Sequence, residues 1–217
     1  MNDRPASRGG VERKSARELE IMRAAGRIAA LALEAMRDRL RAGVTTRQLD
    51  AVAEKVIAQQ HAQPAFKGYP GPYPYPFATT ISINEQLVHG LPGPRAVREG
   101  DLVSLDCGVL YQGYYADAAL SVGVGECPPE VQRLLAVTEQ ALWAGCAELR
   151  AGRRIGDVSA AIQAHVEGHG YCVAREYTGH GVGRAMHEEP ELPNQGRPGS
   201  GRLLRPGMVL AIEPMVI

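Results

Sequence analysis

A mixed α+β domain built from two similar halves that share one sheet is predicted by three features of the sequence. Apolar residues recur at helical spacing from Ala16 to about Arg41, at Leu19, Met22, Ala25, Ile28, Ala29, Ala32, Leu33, Met36 and Leu40. Strand-like alternation follows in Thr79–Val88 and Leu102–Leu110. Displacing the chain by 109 residues then superposes Leu40-Arg41-Ala42-Gly43 on Leu149-Arg150-Ala151-Gly152, and pairs Leu49 with Val158, Ala51 with Ala160 and Ile57 with Val166.

The elements follow in order. Residues 1–15 carry short basic and acidic clusters without an apolar face, and a disordered or frayed start is expected there. Residues 16–217 form one domain, with halves of about 18–126 and 127–217. Gly43 stops the first helix, and Thr45 or Thr46 caps a second running from about Arg47 to Gln60. Prolines crowd Pro64 to Pro76, which denies backbone donors and makes this a loop or sheet edge. The second half opens on a helix over Pro128–Arg150, a glycine stop and a helix over Gly156–Gly168. It ends inside the apolar, strand-like MVLAIEPMVI, short of the length the first half needs, so a C-terminally incomplete second half is expected.

Composition narrows the function. The 217 residues carry 24 basic and 24 acidic side chains, so no overall charge draws the chain to nucleic acid or anionic membrane. The four cysteines (Cys107, Cys127, Cys146, Cys172) form no CxxC pair, which disfavours a zinc knuckle or a disulfide scaffold. The first residues lack the apolar run of a secretory signal, and no stretch approaches a membrane span. A cytoplasmic protein is expected.

Four places carry chemistry. In LVSLDCGVLYQGYYADAALSV, a turn at Gln112-Gly113 pairs Asp106 with Ala119 and Asp117 with Gly108, whereas a turn at Tyr111-Gln112 makes the two aspartates direct partners. Either register puts both carboxylates on one face among apolar neighbours, where like charges need a cation or an extra proton. Two exposed turn aspartates are the plainer alternative. In YTGHGVGRAMHEEP, His180 stands between glycines and His187 follows in the same loop; imidazole is a common metal ligand, though a structural histidine is an equally simple account. GxGxxG is not met, which argues against a dinucleotide site. Glu213 lies in the apolar VLAIEPMV, where a buried carboxylate must be paired, protonated or metal-bound, and Pro214 marks a strand end or bulge. His89 closes ISINEQLVHG at a strand end before Leu91-Pro92-Gly93.

Together, ISINEQLVHG, SLDCG with Asp106 and Asp117 eleven residues apart, GHGVGRAMHEEP and GMVLAIEPM stand in the order and spacing of type I methionine aminopeptidases. The chain from about Arg17 to Ile217 resembles that family. The resemblance implies a pita-bread fold, a pseudo-twofold α+β domain around a curved antiparallel sheet. It implies Asp106, Asp117, His180 and Glu213 as ligands of two divalent ions, with cobalt, manganese, iron and zinc all suited to such donors. Those ions would acidify a shared water, Glu213 would take its proton, and His89 and His187 would act on the peptide at the scissile amide. The substrate implied is the initiator methionine of nascent polypeptides, with a small second residue preferred. Tyr75, Thr80, Tyr177 and Met186 would line the methionine pocket.

Thr80 departs from a cysteine common in relatives, Met186 from a phenylalanine, and YPGPYPYP is longer than the usual stretch. A further bridging glutamate, expected in a strand after the EPM motif, has no counterpart in the sequence, which could reflect a fragment, a frame-shift or a degenerate paralogue. A monomer is expected, with the ribosome as a candidate partner. The alternative is a catalytically inactive pita-bread protein that binds peptides or the ribosome. An Xaa-Pro dipeptidase is less favoured, because such enzymes usually carry an added N-terminal domain.

Overall fold

The computed structural model describes residues 10–217. Ser15 caps helix α1 (Ala16–Arg39) through a reciprocal box, its hydroxyl accepting from the Glu18 amide while the Glu18 carboxylate accepts from the Ser15 amide. The apolar stripe from Met22 to Met36 is buried, as the periodicity requires. Gly43, at φ +89°, makes the turn that a side chain would strain, and Thr45 caps α2 (Thr46–Gln59) with a second box through Gln48.

These two helices cover a four-stranded antiparallel sheet. Its centre is β3 (Leu102–Tyr111), paired along one side by β1 (Gln63–Pro64) and β2 (Thr79–Ile83), and along the other by β4 (Tyr114–Gly123). Met36, Leu49, Ile57, Ile81, Ile83, Val103 and Leu105 interlock between the layers and are almost fully excluded from solvent. Burying each such side chain stabilises by roughly 1.5–3 kcal/mol, and truncating Leu105 to alanine would cost about 2–5 kcal/mol.

The second half repeats the start of the first. Helices α3 (Pro129–Ala147) and α4 (Ile155–Gly168) meet through Gly152, at φ +92°, and bury Ala141, Val158, Ile162 and Val166. Gly145 lets them close; a Cβ there would lie 2.8 Å from Ile162. The Gly43 amide donates to the Val97 carbonyl and the Val97 amide to the Val44 carbonyl; the Gly152 amide donates to Leu204 and the Leu204 amide to Arg153. The four-residue identity in the sequence therefore marks a repeated hydrogen-bonded corner.

Four differences from expectation have physical causes. The strand expected over Thr79–Val88 ends at Ile83, because Asn84 takes φ +55° and the chain turns; His89 lies in the loop that follows, not at a strand end. The strands form two sheets rather than one, the second comprising β5 (Thr178–Gly181), β6 (Glu188–Pro193) and β7 (Leu210–Ala211). The Tyr115 amide, donating to the Gly183 carbonyl at 2.7 Å, ties β4 to the segment after β5. The strand expected over Val209–Val216 pairs only at Leu210 and Ala211 and bridges again at Val216, with Pro214 interrupting the donors between.

The fourth concerns the start. Residues 1–9 of the expected frayed segment lie outside the described residues. Of the remainder, the Lys14 amide donates to Gly207, Arg13 Nε donates to Pro206, and the Lys14 side chain is buried.

Candidate active site

The β3–β4 hairpin sets the floor of the site. Gln112 and Gly113 both adopt positive φ, 49° and 80°, and this turn pairs Asp106 with Ala119 and Gly108 with Asp117. The two carboxylates are thus one diagonal step apart on one face, and the register with the turn at Tyr111-Gln112 is excluded. Asp106 keeps some accessible surface but is surrounded by protein on nearly every side. Burial, reinforced by the neighbouring Asp117 and Glu213 charges, pushes its carboxyl well above the usual range, against the Thr80 hydroxyl that donates to Oδ2 at 3.1 Å.

His180 faces this floor from β5. It is a strand residue rather than a loop residue, 8% exposed, and a bulge between His180 and Gly181 aims its ring. Gly179 and Gly181 flank it because each backbone is crowded; Cβ atoms there would lie 2.3 Å from Ala211 O and 2.4 Å from Glu189 O. Nδ1 sits 2.8 Å from the Gly181 carbonyl, which leaves Nε2 facing Asp117 Oδ2 at 3.6 Å and Glu213 Oε1 at 3.2 Å. Burial alone would lower its pKa, but Asp117 and Glu213 outweigh it and push it up to about 10.

Glu213 is not enclosed in a strand. It stands just past β7, its side chain 32% exposed, with Asn194 Nδ2 holding its backbone carbonyl at 2.7 Å. Its Oε1 is nonetheless buried and, despite the nearby imidazole, makes no hydrogen bond among the described residues. Among the described residues, no three histidine, cysteine or acidic side chains stand together closely enough to hold a metal ion as they are placed. What the site offers is two carboxylates, Asp117 and Glu213, facing one imidazole, with Asp106 beside Asp117 and a buried Glu213 oxygen that lacks a hydrogen bond. That donor set fits a divalent cation: it is oxygen-rich, carries excess negative charge and includes an acceptor without a donor.

The remaining expected residues gather around this centre. The His187 ring lies edge-on to His180, 4.4 Å between centroids, and its pKa is lowered by partial burial and by the His180 charge. His89, at φ +59°, stands edge-on to Tyr177 with centroids 5.9 Å apart. Met186 is buried and reaches over Gly108, where a Cβ would lie 2.9 Å from its methyl group. Tyr75 donates to the Thr79 carbonyl at 2.8 Å, and burial beside Asp50 and Asp106 raises its phenol.

Three neighbours escape sequence reasoning. Tyr69, in the proline-rich loop, places its hydroxyl 3.0 Å from His187 Nδ1. Phe66, like Met186, borders the space above Gly108, 2.8 Å from where a Cβ would lie. On α2, Asp50 accepts from the Ala78 and Thr79 amides and the Thr79 hydroxyl, fixing the entry to β2 and hence Thr80. Only Tyr69 carried a signal, as an aromatic residue among prolines.

The chain is similar in sequence and fold to known metallopeptidases. The profile of Metallopeptidase family M24 matches residues 20–217. Methionine aminopeptidase 1 of Bacillus subtilis is 46% identical over 203 residues, covering 94% of this chain and 81% of that protein. The methionine aminopeptidase structure from Thermotoga maritima superposes with a TM-score of 0.92 at 44% identity, over 95% of this chain and 82% of that one. Prolidase from Pyrococcus furiosus shares the architecture less closely, with a TM-score of 0.81 at 26% identity over 93% of this chain and 57% of that one. On this likeness of sequence and pita-bread fold, the chain belongs to metallopeptidase family M24, among its methionine aminopeptidases.

Proposed function

We propose that the protein removes N-terminal methionine from polypeptides by metal-dependent hydrolysis, with Asp106, Asp117, His180 and Glu213 holding two divalent cations. The observation that carries this reading is the approach of Asp117 and Glu213 to His180, with Asp106 beside Asp117, in a chain 46% identical to a named methionine aminopeptidase. Divalent cations bound there supply Lewis acidity toward water and toward the scissile carbonyl.

The chain's own residues do the rest. Glu213 accepts the proton of the attacking water. His187, kept neutral by its lowered pKa, donates from Nε2 to the oxygen that gains charge as the carbonyl is attacked. His89 orients the peptide and assists the departing amine. Tyr75, Thr80, Tyr177 and Met186 shape the pocket for the methionine side chain, where the Met186 thioether adapts to another thioether. A nascent peptide with a small second residue is the substrate class. Cytoplasmic location and action at the ribosome belong to the same reading.

The test is release of methionine from Met-Ala-Ser by the purified 217-residue chain with added Mn²⁺ or Co²⁺, alongside a Gly-Pro dipeptide. Turnover of the first and not the second is expected. No turnover with either metal, combined with no metal uptake by calorimetry, would overturn the assignment.

A further inference from the structure

We infer that Lys14 is a positioning residue for His187, acting through Glu188 from outside the segment matched by the family profile. Lys14 precedes the cap of α1, yet its side chain is 1% exposed and its ammonium lies 2.5 Å from Glu188 Oε2. The other oxygen of Glu188 accepts from the Ala185 amide at 3.0 Å. One carboxylate therefore closes the Val182–Glu188 loop on itself and fastens it to the start of the chain. His187 is the residue immediately before it.

The path is narrow. Lys14 crosses the face of Gly183, where a Cβ would lie 2.3 Å from Cε and 2.5 Å from Nζ. Its own backbone is held by Gly207, two residues before Val209, whose carbonyl accepts from the Val182 amide. Glu12, 3.9 Å from the ammonium, is the other charge within reach, and it is half exposed. A second fastening lies alongside. Glu18 accepts from the Tyr114 hydroxyl at 2.5 Å and from Arg184 at 3.2 Å, and Arg184 stacks over the Tyr114 ring at 4.6 Å. Both ends of the loop are therefore tied to residues 14–18, and the imidazole is carried between them.

The strap acts on turnover rather than on metal capture, because its partners are the His187 loop and not the carboxylates of the floor. This inference rests on the proposed aminopeptidase reading for its kinetic arm only. Lys14→Met removes the charge at nearly equal volume; Lys14→Met/Glu188→Gln also removes the orphaned carboxylate while keeping an acceptor for Ala185. In Lys14→Met, kcat on Met-Ala-Ser is expected to fall about tenfold or more, with KM and metal content close to the parent. Amide exchange across 182–188 should quicken. The double variant should regain thermal stability without regaining kcat, since the loop stays unfastened. Recovery of kcat together with stability would reduce Lys14 to a structural ion pair and overturn the inference, as would unchanged exchange in 182–188. The exchange arm decides the strap even if the parent chain releases no methionine, which would instead count against the aminopeptidase reading.

Discussion

The Tyr69 hydroxyl sits 3.0 Å from Nδ1 of His187, with the two rings edge-on at 5.8 Å. A neutral imidazole carries one donor and one acceptor, so a hydroxyl donating to Nδ1 places the ring proton on Nε2. The side facing the cleft then becomes the donor that a developing oxyanion needs. The proline-rich segment therefore reaches past pocket shape to the ring proton of His187, the side chain proposed to act on the substrate. Its closure is backbone-made: Gly68 donates to Tyr75 and Tyr75 to Tyr69.

Tyr69→Phe keeps the ring and deletes the hydroxyl. Loss of one hydrogen bond to a reacting group is worth about 1–1.5 kcal/mol, so kcat should fall about tenfold. Steady-state kinetics on Met-Ala-Ser should show KM changed far less than kcat; an unaltered kcat would free His187 from this partner.

Glu213→Gln retains an oxygen near His180 but cannot accept a proton. Turnover should fall by about 10²–10⁴-fold while part of the bound metal remains. Parallel kinetics and metal analysis would check this, and near-normal turnover would remove Glu213 from proton transfer.

Asp106→Asn separates metal holding from folding. In the metal-free protein Asp106 is forced close to Asp117 and Glu213, and burial raises its pKa. Neutralising it relieves that repulsion, so the melting temperature after chelation should rise by about 2–4 °C, the shift that about 1 kcal/mol gives in a chain of this size. Metal occupancy should drop in the same variant. A lower melting temperature in chelator would mean that the floor is not strained by its charge.

Glu18 gives a pH signature. Bonds from Tyr114 and Ser15, the Tyr114 hydroxyl contributing most, bring its pKa down from 4.5 to about 2. A depressed carboxylate adds stability above its unfolded pKa and loses it as the pH falls through the folded one. The melting-temperature deficit of Glu18→Gln should be full at pH 7, begin to shrink below about 4.5 and vanish near 2. A deficit that persists unchanged to pH 2 would show that the contacts do not depend on the charge.

The sequence made local patterns legible. The α1 stripe, the Thr45 cap, the Gln112-Gly113 turn and the two glycine corners all rest on spacing over a few residues. Spacing placed Asp106 and Asp117 on one face, as direct partners or one diagonal step apart, and the turn at Gln112-Gly113 selects the diagonal. What stayed hidden depends on chain returning from far away. Tyr69 and His187 are 118 residues apart, Lys14 and Glu188 are 174 apart, and no period links either pair. Apolar alternation carries the expected strand through Glu213 because it cannot reveal where pairing partners stop, and Pro214 marks an interruption without giving its extent. The resemblance to relatives assembled the site list that these patterns left open.

The proposed donors are divided between the halves. The hairpin of the first half brings two aspartates, while the second brings the imidazole and the glutamate, and the repeat that relates Gly43 to Gly152 relates none of the four to another. The repeated corner therefore sets the two helix pairs in like positions, while the four side chains of the proposed site come from segments that the repeat does not relate.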